Sequence, residues 1–179
     1  IGTYLMIKYN YGGIEGLTLI RPTVFSDHRG CNFEIYDSLK FKDVISADEH
    51  LQDNFKNKEF VLDTLSRSKK NVFRGLHGDN KTWKLVTCLQ GDIILKVLHP
   101  ESGKNVDLVL SSENKWQLLI PDNCANGHYC LSSECLFSYK MTNHYGGIDS
   151  QYTIKWNHEN FNFNWSFDIK NAIMSERDH

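Results

Sequence analysis

Short β-prone runs, broken every few residues by turn formers, recur along this chain and leave little but an antiparallel β architecture open to it. The strongest pair is Lys84–Leu89 and Ile93–Leu98, joined by Gln90-Gly91-Asp92, which reads as a β-hairpin around a Gly-Asp turn. Further strands are predicted at Leu17–Ile20, Phe60–Leu65, Val72–Leu76, Val106–Leu110, Trp116–Ile120, Tyr129–Leu131, Leu136–Lys140 and Tyr152–Trp156. One weak helical stretch lies between Ser38 and Asn54, with Leu39, Val44, Ile45 and Leu51 on a shared face. Many strands and few helix signals favour an all-β fold: a jelly-roll barrel of antiparallel strands with a few short helices. Such barrels hold small ligands in the mouth between the sheets, so inward-pointing polar residues are the ones to follow.

At 179 residues the chain suits a single domain, 1–179, and no linker, repeat or low-complexity tract divides it. Ile1–Leu5 precedes Met6 and is set aside as upstream sequence. A net charge of −2 lacks the basic excess of a general nucleic-acid binder, though a local cationic pocket is compatible with it. No apolar stretch approaches the roughly 20 residues of a membrane-spanning helix, so neither nucleic acid nor membrane is an expected partner. The five cysteines, Cys31, Cys88, Cys124, Cys130 and Cys135, form no C-x-x-C pair and are expected to be buried, reduced thiols. With no secretory pattern at the start, the expected compartment is the cytoplasm.

Three polar groupings stand out. Asn71-Val72-Phe73-Arg74-Gly75-Leu76-His77 is followed closely by Lys84, and antiparallel pairing of the next strand would bring the ammonium beside Arg74 and His77. The plainer reading of the same residues is surface charge with one hydrogen-bonded histidine. Tyr139 lies in an alternating strand, as a core aromatic or as a proton donor, and His144-Tyr145 follows it. Asp27-His28-Arg29-Gly30 forms a turn that offers a guanidinium to a phosphate, with Phe33-Glu34 behind it. The acidic end, Glu176-Arg177-Asp178, reads on its own as surface. Metal binding of the His-x-His…Glu…His kind has no donor set, because Gly75 breaks the first pair and His128 has no second ligand beside it. No metal and no cofactor are expected.

Taken together, these segments resemble the dTDP-4-dehydrorhamnose 3,5-epimerases, sugar-nucleotide epimerases of the cupin superfamily. The resemblance runs from about Leu17 to Asp178. It is carried by Asp27-His28-Arg29-Gly30, Phe33-Glu34, Ser66-Arg67-Ser68, Arg74-Gly75-Leu76-His77 and Lys84-Leu85-Val86. Gly91-Asp92-Ile93, Leu110-Ser111 with Asn114, Ile120-Pro121, Leu131-Ser132, Tyr139-Lys140, Tyr145 and Ser175-Glu176-Arg177-Asp178 complete it. It implies a cupin jelly roll that inverts C3, C5 or both in a nucleotide-diphosphate 4-keto sugar, on the way to surface polysaccharide, without metal, as a homodimer built through its N-terminal sheet. On these implied roles His77 is the base, oriented by Asp178. Lys84, with Arg74 as a second candidate, stabilises charge developing on O4. Tyr139 reprotonates from the opposite face. Arg29 holds the pyrophosphate, Glu34 accepts a base N–H, and Ser66, Arg74, Asn126 and Tyr145 line the substrate.

The chain departs from the family around the substrate. Leu62 and Thr64 replace Gln and Asn, Gly78 and Asp79 replace an aromatic and Gln, and Asn126 replaces a histidine. The expectation is retained chemistry on a different substrate, with Gly78 leaving room for a larger sugar. The sequence is similar to the branch acting on GDP-linked 4-keto-heptoses, with dTDP-linked sugars as the other option. A 3,4-ketoisomerase and a non-catalytic sugar-nucleotide binding cupin are the competing readings.

Overall fold

The computed structural model describes residues 4–179. In chain order the elements are β1 (Tyr4–Lys8), β2 (Thr18–Pro22), β3 (Val24–Asp27), β4 (Gly30–Phe33), α1 (Ser38–Ser46), α2 (Glu49–Phe55), β5 (Leu62–Lys69) and β6 (Phe73–Gly78). Then follow β7 (Lys84–Gln90), β8 (Asp92–Leu98), β9 (Asn105–Ser111), β10 (Gln117–Ile120), β11 (Ala125–Cys130), β12 (Glu134–Met141) and β13 (Tyr152–Thr153). A six-stranded sheet, β1-β2-β10-β7-β12-β5, faces a five-stranded one, β13-β6-β11-β8-β9, and β3 and β4 form a separate arm. The expected all-β jelly roll is what forms.

Strand alternation sorts the apolar residues into three layers. Val86, Cys88, Ile93, Leu95, Val97, Phe137 and their neighbours fill the barrel between the sheets. Ile20, Leu85 and Leu119, on the back of the larger sheet, pack under Phe41, Val44, Leu51 and Phe55 of α1 and α2. Phe73, Leu76, Ile94 and Tyr129, on the back of the smaller sheet, lie under an irregular C-terminal segment rich in aromatics. Lys96 is buried beneath that segment, paired with Asp107 at 2.9 Å and set 4.9 Å from the Trp165 ring centroid.

Several expectations need correction. The Lys84–Leu98 hairpin does not form: β7 pairs with β10 and β12, while β8 pairs with β11 and β9. Both edges of β7 are already taken, so the single residue Gly91 turns the chain from one sheet into the other. That corner requires glycine, since Gly91 has φ +84° and a Cβ there would strike Ser132 and Glu134. The helical stretch is two helices, interrupted where Asp48 caps α2 by accepting from Leu51 N at 3.0 Å. Val44, Ile45 and Leu51 are buried as expected, whereas Leu39 is exposed. Strands β1, β3 and β4 had no predicted counterpart. All five cysteines are free, and four are buried; Cys31, on the arm, is exposed.

Candidate active site

The site begins with an irregularity in β6. Along β11 Asn126 and His128 are two positions apart, but their partners on β6, His77 and Arg74, are three apart. The extra residue is a β-bulge. It lets Arg74 and His77, at a spacing that would put them on opposite faces of a regular strand, both point into the barrel, while Phe73 and Leu76 both join the outer layer. Two glycines make the bulge possible. Gly75 has φ +138°, and a Cβ on it would run into the Cα of Gly127 and lie 2.9 Å from the Asn126 carbonyl.

Asp178 closes the site from the far end of the chain. Its Oδ1 lies 2.6 Å from His77 Nε2, and its Oδ2 accepts from Gly75 N at 3.2 Å. The carboxylate is 3% exposed, so the surface reading of this acidic end is wrong. Burial pushes its pKa up, but the bond and charge of His77, the Gly75 amide and Arg177 outweigh that and leave the group below the ordinary carboxylate value. The imidazole keeps a 20% exposed opening toward solvent.

Lys84 reaches this corner by a route other than the expected one. β6 and β7 belong to different sheets, so Lys84 is not paired beside Arg74 and His77 but crosses the interior from the opposing wall. Its Nζ donates to Asn126 Oδ1 at 2.9 Å, and Asn126 is the cross-strand partner of His77. Burial drives the amine down to about 8, with Asp79 and Cys124 pulling upward and Arg177 downward.

The remaining pocket residues come from both walls. Tyr139 follows Phe137 on the inward face of β12, with ring centroids 5.5 Å apart, and burial raises its pKa, so the phenol keeps its proton at neutral pH. Phe137 stacks at 4.1 Å on His128, the partner of Arg74. His128 is fully enclosed and its pKa falls to about 3 through burial and the charges of Arg74 and His77, so it is neutral. Arg74 Nε donates to Ser68 Oγ at 2.9 Å, tying β6 to the larger sheet. Ser66 Oγ and His128 Nε2 are buried without a protein partner among the described residues. His128 was missed as a pocket residue; its inward parity with Asn126 on one strand was the available signal.

Three expectations are not gathered here. Arg29 sits on the β3–β4 arm, 79% exposed and bonded to Asp27, and Glu34 is paired with Lys40 at 2.9 Å. Tyr145 lies exposed in the loop after β12, near enough to Tyr139 to act on its pKa. The room expected at Gly78 is already filled, because a Cβ there would collide with the Tyr152 phenol of the paired strand β13. An aromatic is thus supplied at this place by β13 instead of by β6.

A cupin jelly roll with a carboxylate-bound imidazole, a buried amine and a phenol at one end of its interior defines a class of barrel that moves protons on a small polar ligand. The model of the dTDP-4-dehydrorhamnose 3,5-epimerase family matches residues 12–179. The dTDP-4-dehydrorhamnose 3,5-epimerase of Salmonella typhimurium is 38% identical over 162 residues, covering 86% of this chain and 83% of that one. Among solved structures, the Legionella pneumophila epimerase in complex with dTDP-4-keto-L-rhamnose superposes with a TM-score of 0.83 at 29% identity, over 97% of this chain and 89% of that one. The Elizabethkingia anophelis dTDP-4-dehydrorhamnose 3,5-epimerase gives 0.79 at 32%, over 96% and 93%. The chain belongs to the dTDP-4-dehydrorhamnose 3,5-epimerase family, and is an isomerase of nucleotide-sugar biosynthesis.

Proposed function

We propose that this protein inverts C3, C5 or both of a nucleotide-diphosphate-linked 4-keto sugar by removing a proton on one face and returning one on the other. The observation that carries the proposal is the Asp178-oriented imidazole of His77 on one wall of the barrel, with Tyr139 on the facing wall. A hydrogen beside a ketone becomes acidic only when the resulting enolate is stabilised. Asp178 holds the proton on His77 Nε2, which leaves the Nδ1 lone pair to take hydrogen from carbon. Charge gathering on O4 meets the Lys84 ammonium, with Arg74 as a second cation and Asn126 holding Lys84 in place. Tyr139, still protonated at neutral pH, delivers hydrogen from behind. A single group would only return the proton where it came from.

Ser66, Arg74, Asn126 and Tyr145 line the sugar in this reading. Arg29 and Glu34, on the arm, take the pyrophosphate and a ring N–H of the base. A homodimer built through the N-terminal sheet and a cytoplasmic location complete it. Among the described residues no helix is long and apolar enough to cross a membrane. The base is thymine or guanine, since both present ring N–H donors to a carboxylate.

The test uses dTDP- and GDP-linked 4-keto sugars, hexose and heptose, in deuterated water with the purified protein. The expected result is deuterium at C3, C5 or both of one substrate, with inverted configuration. Deuterium at neither carbon of any substrate overturns the proposal. So does a product whose ketone has moved to C3, the mark of a ketoisomerase, or tight binding without exchange, the mark of a binding module.

A further inference from the structure

The C-terminal segment is tied to the barrel at successive points. Ile173 N donates to the Asn71 carbonyl at 2.8 Å and its own carbonyl accepts from Phe73 N at 3.0 Å. Asp178 ends on Gly75 and His77. Between these anchors stands Arg177. Its Nε donates to Thr153 Oγ1 and its Nη2 to Gln151 Oε1, each at 3.0 Å, and its carbonyl accepts from Lys155 Nζ at 3.2 Å. Thr153 lies on β13 as the cross-strand partner of His77. One residue therefore grips the strand flanking the imidazole while its chain neighbour holds the imidazole itself.

We propose that Arg177 is the positioning residue of this pocket: by clamping Gln151 and Thr153 it fixes the C-terminal segment, sets Asp178 against His77, and places a positive charge beside the Lys84 corner. The inference rests on the proton-transfer reading above. The polar and charged groups that act on Lys84 are Asn126 on β11, Cys124 just before it, Asp79 in the β6–β7 turn and Arg177 in the C-terminal segment. Asp79 and Cys124 favour the ammonium and Arg177 disfavours it, while the same guanidinium favours the ionised form of Asp178. Arg177 thus acts twice, once through geometry and once through its field, and the two effects separate experimentally.

Full-length Arg177→Ala, Arg177→Lys and the double variant Thr153→Val with Gln151→Leu are compared with the wild type. The first readout needs no substrate: the short His77–Asp178 bond is expected to give a strongly downfield imidazole N–H proton by NMR in the wild type, and its absence there overturns the inference. Arg177→Ala is expected to lose that resonance and to lower kcat about 10- to 100-fold, as a misplaced catalytic group does, with KM little changed. Its basic limb moves to higher pH, because Lys84 is relieved of a neighbouring cation. Arg177→Lys keeps the limb in place and recovers part of kcat. The double variant lowers kcat with the charge retained, and stands in where Arg177→Ala does not fold. A folded Arg177→Ala protein with the resonance and kcat of the wild type overturns the inference. Loss of kcat with resonance and limb both unmoved also overturns it, since that is lost stability alone. A wild type that exchanges no deuterium overturns the epimerase reading instead, and the imidazole resonance still decides the clamp.

Discussion

The corner around His77 and the arm around Arg29 carry residues that the sequence marks equally as functional, yet they are built in opposite ways. In the corner, partners far apart in sequence meet with little access to solvent: Asp178 on His77 and Lys84 on Asn126. On the arm, Arg29 bonds to Asp27 two residues away, Glu34 to Lys40 six away, and both pairs are exposed. Burial explains the difference. A charged group withdrawn from water must be matched by fixed partners, whereas an exposed ion pair is worth little and yields readily to a better one. The proposed chemistry is preorganised by buried partners, while the proposed nucleotide contacts are held only by exposed short-range pairs.

Perturbing the corner should therefore have the larger effects. His77→Ala is expected to lower turnover by about 10²–10⁴-fold with the fold intact, measured by deuterium exchange and circular dichroism. Tyr139→Phe should lower inversion by a similar order; near-normal inversion would transfer the acid role to Tyr145 or to water.

Gly75→Ala should destabilise the protein by about 1–3 kcal/mol or more in chemical denaturation, because a Cβ at φ +138° meets Gly127. It should also impair catalysis by turning Arg74 or His77 away. Lys84→Met separates stability from function, expected to abolish exchange while stabilising the fold at neutral pH by on the order of 2–3 kcal/mol. The sign follows from a folded-state value of about 8, below that of a free lysine. Above about pH 8 the folded protein loses this proton while the unfolded chain keeps it, so wild-type stability rises with pH toward 10 and the advantage of Lys84→Met shrinks. Activity that depends on the ammonium falls over the same range.

On the arm, Arg29→Ala and Glu34→Ala should change stability by less than about 0.5 kcal/mol. Their expected signature is a raised KM with little change in kcat. A loss of kcat comparable to that of His77→Ala would erase the contrast between the two regions.

Much of the barrel was legible because short β-prone runs bounded by turn formers mark most of its strands, β8 among them, which is buried at every position after the first. The pairing was not. Lys84–Leu89 and Ile93–Leu98 look like a hairpin, since residues joined by one turn cannot reveal that both edges of β7 are claimed by β10 and β12. The bulge in β6 was equally hidden: the Arg74 to His77 spacing is odd, and only the close approach of Gly75 to Gly127 makes it productive. Gly78 suggested empty space because Tyr152, which fills it, lies on another strand.

Residue order alone determined that this chain is a small all-β barrel, and the order of its short motifs made it resemble the epimerase family, which implied the side chains for proton transfer. The first follows from local patterning and the second from likeness of sequence, and neither needs knowledge of what touches what. Tertiary structure decided how Asp178, 101 residues beyond His77, comes to lie against its imidazole, that Lys84 arrives from the opposite wall, and that Arg177 lies between the C-terminal segment and β13. Those are encounters across two sheets, set by strand pairing and by the need to partner every buried charge, and no single stretch of sequence contains them.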